Sequence, residues 1–125
     1  PNLILSNDIT KKDNYLNLVK NHDICIATTG LHGSIGWKFG EYVASSRAII
    51  SEPLNYMVPG KFIEGQNYLV FNDKNTLINN IHDLIDSRKK LSKLMDNNFK
   101  YYNNYLNPEI LVLNSIIKVL TDIEQ

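Results

Sequence analysis

Apolar residues along the chain fall into short continuous runs and helically spaced stripes that alternate with one another. Leu3-Ile4-Leu5-Ser6, Ile24 to Ala27, Ala48 to Ser51 and Tyr68 to Phe71 read as strands, because runs of this length rich in branched aliphatic and aromatic residues suit buried strands. Between the first two, Tyr15, Leu18 and Val19 recur at i, i+3, i+4 and predict a helix, for which Ser6, Asn7 or Asp8 offers a cap. A second helix over about Gly36 to Ser45 places Phe39, Tyr42 and Val43 on one side, with Lys38, Glu41 and Ser45 nearer the other. Pro53, Pro59 and Gly60 mark residues 52 to 65 as an irregular loop. Leu77, Ile78, Ile81, Leu84 and Ile85 predict a further helix, with Asn75 or Thr76 as its cap. From Arg88 onward everything reads as helix: Leu91, Leu94, Met95 and Tyr102 form one stripe, Asn107-Pro108 breaks it, and Glu109 to about Ile123 begins again.

Strands alternating with helices predict an α/β fold with a parallel sheet of about four strands, joined by right-handed crossovers, and a helical C-terminal section. The last helix is apolar around most of its circumference. Such a helix wants partners on two sides, so it is expected to pack on a further domain or on a second copy of the chain, making it the route to a homo-oligomer. The chain opens at Pro1 and enters an apolar run almost at once, which predicts that it is a piece of something longer.

Candidate chemistry concentrates after the strand Ile24 to Ala27. Gly30, His32, Gly33, Ser34 and Gly36 form a loop leading into the helix that bears Lys38 and Glu41. The first amides of a helix lack internal acceptors and the helix dipole is positive there, so an anion is the natural guest. A cation at Lys38, in the first turn, opposes that dipole unless an anion sits nearby. The glycines do not fall as the dinucleotide fingerprint, and no P-loop Gly-Lys-Ser/Thr follows. Glu52, just past a strand end, lies where ligands of open parallel sheets bind. Trp37 and the tyrosines Tyr101, Tyr102 and Tyr105 read as packing residues, with one phenol exposed.

With 125 residues and 43% hydrophobic content the chain forms one domain. Its 13 basic and 13 acidic residues cancel, which leaves no basic excess for nucleic acid. Cys25 is alone and falls in an apolar strand, so it reads as a buried small hydrophobe in a reducing compartment. His22, His32 and His82 lack metal-ligand spacing, and no metal is expected. No apolar run approaches the roughly 20 residues needed to span a bilayer.

Over about residues 22 to 110 the chain resembles the C-terminal domain of bacterial glycosyltransferases of the two-Rossmann-domain (GT-B) architecture, of the kind that builds capsular or lipopolysaccharide sugars. The resemblance runs through W-K-F-G-E-Y (Trp37 to Tyr42), A-S-S-R-A-I-I-S-E-P (Ala44 to Pro53), E-G-Q-N-Y-L-V-F (Glu64 to Phe71) and Y-L-N-P (Tyr105 to Pro108). It implies a Rossmann-like, three-layer half-domain that binds a nucleoside diphosphate sugar as substrate, without a cofactor. The donor would be held by Gly30, His32, Gly33, Ser34, Gly36, Lys38, Glu41 and Glu52, with Glu41 on the ribose hydroxyls and Glu52 near the transferred sugar. Many retaining members carry a second glutamate eight positions before the first; here that position is Gly33. The acceptor, a glycan or a lipid-linked glycan, and any general base would come from an N-terminal domain. The whole protein would be cytoplasmic, at the inner face of the membrane. Two other readings stand beside this one: half of a nucleotide-sugar epimerase, and a non-catalytic nucleotide-binding or receiver-like module. A receiver wants clustered acids at its strand ends, where this chain offers Thr28, Thr29 and Glu52.

Overall fold

A computed structural model describes residues 6 to 124. The predicted strand over residues 3 to 6 falls, apart from Ser6, outside the described residues. Within them three strands, β1 (Ile24–Ala27), β2 (Ala48–Ser51) and β3 (Tyr68–Val70), pair in parallel in the order β1-β2-β3. Ile24 lies opposite Ala48 and Ile49 opposite Tyr68. The helices are α1 (Lys12–Asn21), α2 (Trp37–Ala44), α3 (Lys74–Asp86), α4 (Arg88–Tyr101) and α5 (Pro108–Ile123).

The central strand explains the architecture. In β2, Ala48, Ile49 and Ile50 are wholly buried, which requires cover on both sides of the sheet. Side chains alternate between faces along a strand, so Cys25, Ala27, Ile49 and Tyr68 pack with Val19 of α1 and with Phe39, Tyr42 and Val43 of α2. Ala48, Ile50 and Leu69 pack on the other side against Leu84 of α3 and Leu91 and Leu94 of α4. The result is a three-layer α/β sandwich.

Polar groups fix the layers in register. Asn98 of α4 is completely buried and donates to the backbone carbonyls of Arg47 (2.7 Å) and Asn67 (2.9 Å), while its side-chain oxygen accepts from the Asn67 side-chain amide at 3.2 Å. Asn67 in turn accepts from the Ile63 amide at 3.0 Å. This pair ties α4 to the loop segments leading into β2 and β3, and its buried polar groups are satisfied inside the fold. A second lock lies where Gly60, with φ of 67°, backs onto Tyr105. A Cβ there would overlap the tyrosine ring.

Several helix starts differ from expectation. Asp73 caps α3, accepting from the Thr76 amide at 2.8 Å, and Thr76 is the reciprocal member of that capping box. Asn75 and Thr76 therefore lie inside the helix. A turn over residues 7 to 10 precedes α1, whose first position follows Lys11 without a side-chain cap, so Ser6, Asn7 and Asp8 do not cap it. Pro108 opens α5 as predicted, and a single π turn, Tyr102–Leu106, joins α4 to α5.

The last helix is turned outward. Asn114, Ser115 and Lys118 of its polar side line a cleft with Met57, Pro59 and Tyr105. Val112, Leu113, Ile116, Val119, Leu120 and Ile123 are 50 to 75% exposed. No helix among the described residues is long and apolar enough to cross a membrane.

Candidate functional site

The segment that leaves the carboxyl end of β1 and the start of α2 enclose a cleft of about 310 Å³, lined by Thr28, Thr29, Gly30, Gly36, Trp37, Lys38 and Phe39. Chain reversal from β1 to α2 shapes it. After β1 a short 3-10 turn, Leu31–Gly33, folds the loop back with left-handed φ of 58° at His32 and 72° at Gly33. The Gly30 amide donates to the Ser34 carbonyl at 2.8 Å, closing the turn on itself. Tyr56 of the long loop clamps it from outside, donating to the His32 carbonyl at 3.1 Å.

Helix α2 begins at Trp37 with Gly36 before it and no side-chain cap. The amides of Trp37 and Lys38 find no acceptor among the described residues, the condition in which a helix start attracts an anion. Lys38, in that first turn, is exposed and makes no ion pair among the described residues. Glu52 reaches across from the end of β2 and accepts from both the amide (2.7 Å) and the hydroxyl (2.8 Å) of Thr29. Those two bonds, the amide first, hold its carboxyl below the usual glutamate range. Next to it in β2, the Ser51 hydroxyl is buried without a hydrogen-bond partner among the described residues.

Of the residues singled out in the sequence, Gly30, Gly36 and Lys38 therefore line one cleft, and Glu52 is pinned to its edge through Thr29. His32, Gly33 and Ser34 form the turn beside it and do not line it. Glu41 stands apart. One turn into α2, its carboxylate pairs with Lys12 of α1 and lies beside the Tyr15 hydroxyl, whose acidity burial, above all, suppresses. Thr28 and Thr29 are lining residues that motif reasoning passed over; hydroxyl residues at the end of a parallel strand were the available signal.

Trp37 corrects an expectation outright. It is 92% exposed and packs over no core edge. It stands between the cleft at the start of α2 and a second, more apolar cleft of about 320 Å³, which shares Gly36, Trp37 and Phe39 with the first. Gly40 also faces this second cleft. A glycine inside a helix costs about 0.5–1 kcal/mol relative to alanine, yet a Cβ on Gly40 would meet nothing within 4 Å.

The tyrosine cluster packs as expected: Tyr101 is buried and donates to the Pro59 carbonyl at 2.6 Å. Cys25 is buried too, and burial pushes its thiol up to about 11, a value unsuited to a nucleophile near neutral pH. Among the described residues no group of three or more His, Cys, Asp or Glu side chains is gathered as a metal site.

No protein-family model, curated protein or solved structure matches this chain. The class its own geometry defines is an α/β domain with, among the described residues, a three-stranded parallel sheet and a cleft between the carboxyl end of β1 and the start of α2.

Proposed function

We propose that this chain is the donor-binding domain of a glycosyltransferase, holding a nucleoside diphosphate sugar whose sugar passes to a surface glycan acceptor. The observation that carries the reading is the conjunction at the start of α2: two unpartnered amides, an exposed lysine and a glycine-flanked cleft at the carboxyl end of β1. A departing nucleoside diphosphate gains negative charge as the glycosidic bond breaks, and backbone amides with a nearby cation stabilise that charge without reorganising. In this reading the diphosphate lies against the amides of Trp37 and Lys38, with the Lys38 ammonium as counter-charge. Glu52, kept ionised by Thr29, accepts from hydroxyls of the transferred sugar. Glu41 engages the ribose by exchanging Lys12 for the diol, since a carboxylate can accept two hydroxyl hydrogen bonds at once.

The acceptor and a general base would be supplied by a second domain. The sequence resemblance in Trp37 to Pro53 supports this reading over a receiver-like module, whose clustered strand-end acids are replaced here by Thr28, Thr29 and Glu52. Calorimetric titration with uridine and guanosine diphosphates tests it. One of the two should bind in the millimolar range or tighter, and Lys38→Ala should weaken that binding by about 1 kcal/mol, roughly fivefold. Absence of heat with both nucleotides would remove the proposal.

A further inference from the structure

We draw no further inference here: the strongest candidate, the outward apolar face of α5 formed by Val112, Leu113, Ile116, Val119, Leu120 and Ile123, carries nothing because nothing in the structure shows what covers it.

Discussion

Helices α4 and α5 follow one another with a single π turn between them, yet they treat apolar residues in opposite ways. The α4 sequence is heavily charged, with Arg88, Lys89, Lys90, Lys93, Asp96 and Lys100, but Leu91, Leu94, Asn98 and Tyr101 fall on one stripe and each is at most 5% exposed. The α5 sequence carries Ile110, Leu111, Val112, Leu113, Ile116, Ile117, Val119, Leu120 and Ile123, and none of them is buried. What decides burial is whether the stripe meets the sheet. Spacing in α4 directs a narrow apolar line onto β2, whereas α5 hangs from the π turn with its polar side toward the loop around Pro59. Composition measures the demand for a partner, and connectivity decides whether this chain meets it.

That contrast can be broken most forcefully at Asn98. Asn98→Leu would strand the Arg47 and Asn67 carbonyls and leave the Asn67 side-chain amide only its 3.5 Å bond to the Asn97 carbonyl, and at about 1–3 kcal/mol per stranded carbonyl the loss should be about 2–6 kcal/mol by urea unfolding. Leu94→Ala, opening a void against Leu84 and Ile50, should cost about 2–5 kcal/mol in the same measurement. The matched change in α5, Leu120→Ala, should stay within about 0.5 kcal/mol, because Leu120 is already 57% exposed and alanine is a better helix former. Equal losses at Leu94 and Leu120 would mean that α5 is covered in solution and would erase the contrast.

Much of the sandwich was legible beforehand for a physical reason. A strand covered on both faces is apolar almost throughout, so Ala48–Ile50 stands out as an unbroken run; Ile24–Ala27 reads the same way although Ile26 is 42% exposed, and Tyr68–Val70 does so to within one residue. The Asn67–Asn98 lock was not legible, since its partners lie 31 positions apart and asparagine ordinarily signals a turn. The Asp73 cap was misplaced because Asn75 and Thr76 are also cap formers, and only side-chain geometry separates an N-cap from the N3 residue of a capping box.

The site divides in the same manner. Glycines before an amphipathic helix and a lysine in its first turn identified Gly30, Gly36 and Lys38, all of which line one cleft. Periodicity could not tell that Glu41 would face Lys12, nor that Trp37 would stand almost wholly exposed between two clefts. Both outcomes depend on where α1 and the 52 to 65 loop lie against α2, which is a matter of tertiary packing.

The central claim is that the opening amides of α2 hold a diphosphate, and nitrogen-proton correlation spectra of the chain titrated with millimolar uridine or guanosine diphosphate test it most directly. The account predicts saturable shifts at Gly30 and at Gly36 to Phe39, with the amides of α5 unmoved. Spectra in which the Trp37 and Lys38 amides keep their positions with both nucleotides would contradict it.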